Sequence, residues 1–140
     1  QSLRKFAGEF IDRRLTLHYA PVGLTAVTDE KWLGFVVEQV LSNALKYTPE
    51  GGSITIDAEE PATLCIRDTG IGVAPEDLPR IFDRGYTGRN GRTHRQASGI
   101  GLYLCRRICR DLGHTITAAS AVGEGTVIRL DLSRRAGPLE

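Results

Sequence analysis

Asp68-Thr69-Gly70-Ile71-Gly72, closing the apolar run Leu64-Cys65-Ile66-Arg67, and Gly99-Ile100-Gly101-Leu102, opening an amphipathic run, decide how this chain is read. A carboxylate at a strand end accepts from the exocyclic amine of adenine, where guanine has a carbonyl. Glycines after it let the backbone approach the base and bend beneath it. Bare N–H groups at a helix start bind phosphate oxygens, aided by the dipole. Each piece alone is ambiguous, because Asp-Thr-Gly also makes ordinary tight turns and glycines open many helices for packing reasons. Gly99-Ile100-Gly101-Leu102 also lacks the lysine and Ser/Thr of a Walker loop.

A third stretch, Glu38-Gln39-Val40-Leu41-Ser42-Asn43-Ala44-Leu45-Lys46-Tyr47-Thr48-Pro49, adds polar residues to a helix that otherwise reads as buried. At about 100° per residue, Trp32, Val36, Val40 and Ala44 form one apolar stripe, and Gln39, Asn43, Lys46 and Tyr47 share the neighbouring face. The Asn43 amide oxygen is a hard ligand suited to Mg²⁺, Lys46 offers phosphate a point charge, and Tyr47 offers an aromatic surface. The bland alternative for each is a solvated helix edge. Together the three stretches predict an ATP site.

Composition sets the bounds. The 140 residues make one domain of ordinary size, 41% apolar and 25% charged, and a net charge of +1 gives no reason to expect nucleic acid or an anionic membrane as partner. No apolar run reaches the roughly 18 to 20 residues that span a bilayer. Three cysteines, without zinc-site spacing, predict reduced thiols in a cytosolic compartment. The lack of a starting Met leads to the expectation that Gln1 begins a piece of something longer.

Periodicity predicts strands at 14–19, 24–27, 53–58, 63–67, 114–119 and 125–132. A long helix should run from an N-cap at Asp29 to Tyr47, a brief one over 75–82, and an amphipathic one from Gly99 or Ile100 to Leu112, capped by Gly113. The stretch 83–98, rich in Gly, Arg and Asn, reads as a mobile loop whose arginines either reach a triphosphate or keep the loop solvated. Arg84 is the foremost of them because it follows the Phe82-Asp83 anchor. The order predicts an α/β (α+β) two-layer sandwich, a mixed sheet of about five or more strands with helices on one face. Cys105 and Cys109 share a helical face, but core packing is the favoured reading. Gly123-Glu124-Gly125-Thr126 reads as a hairpin turn, with Thr126 a candidate for lining the nucleotide pocket.

In order and spacing these motifs resemble the ATP-binding catalytic domain of bacterial sensor histidine kinases, in the superfamily of gyrase, Hsp90, histidine kinases and MutL. The asparagine box corresponds to 39–48, the first glycine box to 68–72, the phenylalanine box to 81–84 and the second glycine box to 99–102. Ile81-Phe82-Asp83-Arg84-Gly85-Tyr86-Thr87-Gly88-Arg89-Asn90-Gly91-Arg92, with Asp29-Glu30-Lys31-Trp32, is similar to small kinases that sense cell-envelope antibiotics, often beside an ABC transporter. The resemblance implies a Bergerat-type fold, with Asp68 on adenine, Asn43 on Mg²⁺, Lys46 and the loop arginines on phosphates, Tyr47 near the base, and Gly70, Gly72, Gly99, Gly101 and Leu102 shaping the cradle.

It further implies a linker end at 1–12, the catalytic domain at 13–134 and a tail at 135–140. The acceptor histidine would lie on a dimerisation hairpin outside this chain, because no histidine here has the acceptor's context. A response regulator would be the final partner, the isolated domain a monomer, and the full-length protein a homodimer in the inner or plasma membrane with this domain in the cytoplasm. One departure is Gln39, where most of the family has a second asparagine; the superfamily's hydrolases place a glutamate there to activate water, which an amide cannot do. Two rival readings share the fold: a nucleotide-gated protein-binding module, and a serine kinase of the anti-sigma-factor type.

Overall fold

The structure is a computed structural model, and it describes Gly8, Ile11 and residues 14–19, 30–59, 62–85 and 101–133. The expected strand at 24–27, the Asp29 cap, Gly99 and most of the 83–98 loop lie outside the described residues.

Strand β1 (Thr16–Tyr19) leads to helix α1 (Glu30–Tyr47) and then to β2 (Ser53–Glu59), which pairs with β1 in parallel. Strand β3 (Thr63–Asp68) returns antiparallel to β2. After a 3₁₀ turn at Leu78–Arg80 come α2 (Gly101–Asp111), β4 (Thr115–Ala121) and β5 (Gly125–Asp131). β5 inserts between β3 and β4, antiparallel to both, giving the order β1-β2-β3-β5-β4. This is the mixed five-stranded α/β architecture that the sequence predicts.

Alternation along the strands sorts the two faces. Ile54 and Ile56 of β2, Ile66 of β3, Ile116 of β4, and Ile128 and Leu130 of β5 join Val36, Val40, Leu41, Ala44 and Leu45 of α1 and Cys105 and Cys109 of α2 in one core. The Cys105 thiol lies 3.7 Å from the Val36 carbonyl, where the helices meet. Burial pushes the Cys105 thiol up to about 12 and the Cys109 thiol up to about 11, as inert core residues should behave. The other face carries charge: Arg67 pairs with Asp57 at 3.4 Å and with Glu59 at 3.1 Å, and Arg129 pairs with Glu59 at 3.3 Å.

Gly113 caps α2 as expected. At φ +83 it donates to the Arg110 carbonyl at 3.1 Å, while His114 donates to the Cys109 carbonyl at 2.7 Å, the pair of bonds that defines a Schellman end.

Two expectations need correction. The brief helix expected at 75–82 is present only as a three-residue 3₁₀ helix, Leu78–Arg80, with turns on either side. Pro79 lies inside that segment, where it has no N–H to donate and its ring would clash with the carbonyl four residues back, so the helix is not extended. Trp32 departs from the apolar stripe: it is 48% exposed and meets Phe35 edge to face, with ring centroids 6.2 Å apart. The buried stripe of α1 starts one turn later, at Val36.

Candidate nucleotide site

The site forms along one row of the sheet. In register, Ile54 lies beside Asp68, Asp68 beside Thr126, and Thr126 beside Ser120, so the row crosses four strands at one end of the helix-covered face. Asp68 Oδ1 accepts from the backbone N–H of Gly70 at 2.8 Å and of Thr126 at 3.2 Å. Burial raises its pKa, and these two donors oppose the rise. Both bonds use one oxygen, so Oδ2 lies outside them.

Ser120 is the hub of the other half. Its hydroxyl accepts from Val73 N–H at 2.8 Å, donates to the Gly125 carbonyl at 2.9 Å, and lies 2.8 Å from the Thr126 hydroxyl. With its single proton directed at Gly125, Ser120 is the acceptor in the contact with Thr126. The glycine segment is thereby fixed from several sides. Thr69 N–H reaches Ser53 O at 3.1 Å, Ile71 N–H reaches Tyr47 O at 3.1 Å, and Gly123 N–H reaches Ile71 O at 2.8 Å. Gly70 packs so close to the Tyr47 carbonyl that a Cβ would collide with it, and Gly72, at φ +78, lies equally close to the Ala121 carbonyl. Both glycines are therefore required by packing against the walls of the site.

The polar face of α1 adjoins the start of α2. Gln39, Asn43, Lys46 and Tyr47 are all partly exposed, and burial raises the Tyr47 pKa. Gln39 Oε1 lies 3.1 Å from where a Cβ on Gly101 would stand, so the start of α2 adjoins this polar face. Leu102 packs on the core from the same turn. Thr48 closes α1 with its hydroxyl donating 2.7 Å to the Ala44 carbonyl and is fully buried.

Arg84 follows Ile81, which is buried, and Phe82, which packs on the core. Its guanidinium carbon stands 5.8 Å from the centroid of the Tyr103 ring on the first turn of α2. The structure thus joins Asp68 with Thr126, Gln39 with Gly101, Tyr47 with Gly70, and Arg84 with α2; Gly99 lies outside the described residues. Sequence reasoning missed Ser120 and Tyr103. Neither lies in a recognisable motif, and the signal that finds Ser120 is strand register with Thr126.

A polar row ending in a half-bonded carboxylate, with a polar helix face adjoining the start of α2, is the arrangement that the family comparison puts in a class. Residues 28–136 match the family of histidine kinase-, DNA gyrase B-, and HSP90-like ATPases, and the chain belongs to that family.

Among particular proteins, it is 41% identical over 107 residues to the sensor histidine kinase YxdK of Bacillus subtilis (strain 168), covering 73% of this chain and 33% of that protein. It is 42% identical over 106 residues to the sensor protein kinase GraS of Staphylococcus aureus (strain JH1), covering 74% of this chain and 30% of that one. The chain thus spans about a third of the length of these curated relatives. Its fold is that of the catalytic domain of histidine kinase ThkA, with TM-score 0.80 at 21% identity over 95% of this chain and 88% of that one. The mycobacterial sensor histidine kinase MprB aligns with TM-score 0.76 at 24% identity, over 94% and 90%.

Proposed function

We propose that this domain binds ATP with Mg²⁺ and presents the γ-phosphate to a histidine on a separate dimerisation domain, as half of a two-component histidine kinase that later charges a response regulator. Its relatives bear the names of sensor histidine kinases. The observation that carries the reading is the half-bonded Asp68 carboxylate: two backbone donors hold Oδ1, and Oδ2 is left to accept from the adenine amine. Tyr47 offers the base an apolar flank, and the Thr126 hydroxyl lines the same pocket.

Lys46, Arg84 and the N–H groups opening α2 take the phosphates, with Gly99, Gly101 and Leu102 shaping the approach. The Asn43 oxygen suits the Mg²⁺ that accompanies the nucleotide, and the ion, when bound, neutralises charge on the phosphate oxygens.

A histidine imidazole nitrogen attacks γ-phosphorus in line, the bond to the β,γ-bridging oxygen breaks, and ADP leaves. The protein contributes position and charge. Gln39 cannot activate water, so hydrolysis stays slow.

The test has two arms. Calorimetry should show Mg²⁺-dependent binding of ATP and strong discrimination against GTP. With labelled ATP, the chain alone should form no phosphohistidine, and label should appear only when a dimerisation domain is supplied. Equal affinity for ATP and GTP, or rapid labelling of His18, His94 or His114, would refute the reading.

A further inference from the structure

We propose that Tyr103 is a positioning residue, its ring holding the Arg84 guanidinium at the first turn of α2, ready for the terminal phosphate of a nucleoside triphosphate. The inference rests on the phosphate-binding role proposed above for Arg84. The backbone at Arg84 is fixed by its neighbours, since Ile81 is buried and Phe82 packs on the core. The side chain itself is exposed, and a long exposed arginine loses rotamer freedom when a ligand captures it.

Arg14, Arg67 and Arg129 are held by carboxylates, whereas among the described residues no carboxylate pairs with Arg84. What orients it is the Tyr103 ring, 5.8 Å from the guanidinium carbon. That choice of partner matters. A carboxylate would neutralise the cation and occupy its fork of donors, whereas an aromatic face holds the cation and leaves the N–H groups for a phosphate.

Helical side chains lean toward the N-terminus of their helix, so a residue on the first turn of α2 covers the end where phosphate is bound. Leu102 and Leu104 flank Tyr103 in sequence, and packing alone would be served by a third aliphatic residue. At Tyr103 the aromatic ring is what meets the charge. An exposed cation–π contact of ordinary strength corresponds to an affinity gain of about two- to fivefold.

The experiment is calorimetry of this chain and its Tyr103→Phe, Tyr103→Leu and Arg84→Gln variants with ATP and with ADP, both with Mg²⁺. Tyr103→Leu should weaken ATP by about two- to fivefold and leave ADP unchanged, whereas Tyr103→Phe should keep the parent affinity for both. In the Arg84→Gln background, Tyr103→Leu should cost nothing more. The inference is overturned if Leu and Phe weaken ATP equally, if ATP and ADP fall together, or if the Leu effect survives without Arg84. A parent chain that binds no ATP defeats the underlying functional reading as well, whereas normal ATP binding with an inert Tyr103→Leu defeats this inference alone.

Discussion

Replacing Asp68 by Asn isolates the contact proposed for adenine recognition. The structure shows why alanine is the poorer choice: it would leave the N–H groups of Gly70 and Thr126 without their acceptor, at about 1–3 kcal/mol for each group so stranded. Asparagine keeps an oxygen at the Oδ1 position to accept both, and puts an NH₂ where Oδ2 stood. The adenine amine then faces a donor instead of an acceptor. Losing that bond and leaving two donors opposed should cost about 2–4 kcal/mol, roughly 30- to 1,000-fold in ATP affinity. The same NH₂ suits the guanine carbonyl, so the preference for ATP over GTP should narrow.

The free domain should not lose stability. Burial raises the Asp68 pKa above the ordinary aspartate value, about 3.8. For a carboxyl raised on folding, the stabilising contribution is fully present below 3.8 and is lost as pH rises through the folded pKa, so at neutral pH the charged form is a net cost to folding. Asp68→Asn removes that cost, and its stability relative to the parent should fall as pH is lowered through the folded pKa toward 3.8. ATP affinity of the parent should weaken over the same window as the acceptor is protonated. Calorimetry and chemical denaturation at several pH values measure both. An Asp68→Asn domain that folds normally and binds ATP within about threefold of the parent would refute the adenine assignment.

Three further outcomes follow from the geometry. Asn43→Ala should weaken ATP with Mg²⁺ far more than metal-free ATP, and equal losses in paired titrations would leave Asn43 a structural role only. Ser120→Ala strips the Val73 N–H of its acceptor and frees the Thr126 hydroxyl, so it should destabilise the domain by about 1–2 kcal/mol in denaturant titration and lower ATP affinity; an unchanged midpoint would remove Ser120 from the hub. Cys105 and Cys109, buried and with thiols pushed up to about 12 and about 11, should resist iodoacetamide at pH 8 until urea unfolds the chain, which mass spectrometry of the alkylated protein reads directly.

What the sequence made legible was what local chemistry decides. The span of α1 to Tyr47, the strand ending at Asp68, the Gly113 cap and the buried cysteines follow from periodicity, turn residues and burial preference. Trp32 misled because helical phase gives a direction but not the reach of the neighbouring element, and the core begins at Val36. The 75–82 segment forms less helix than expected because Pro75 fits a first turn while Pro79 stops its extension. Asp68 could be suspected of binding a base, but its hold by Thr126, and the part Ser120 plays, depend on β5 inserting between β3 and β4. Strand order is decided by the whole core, which no short stretch encodes.

That insertion also gives the domain an indivisible kind of ownership over its site. Asp68, Gly70 and the polar face of α1 belong to the first half of the chain, whereas Gly101, Tyr103, Ser120 and Thr126 belong to the second. The row that joins Asp68 to Thr126 and Ser120 exists only once β5 has found its place between β3 and β4. Neither half alone carries the whole row, so a nucleotide held there would report that both halves have folded together.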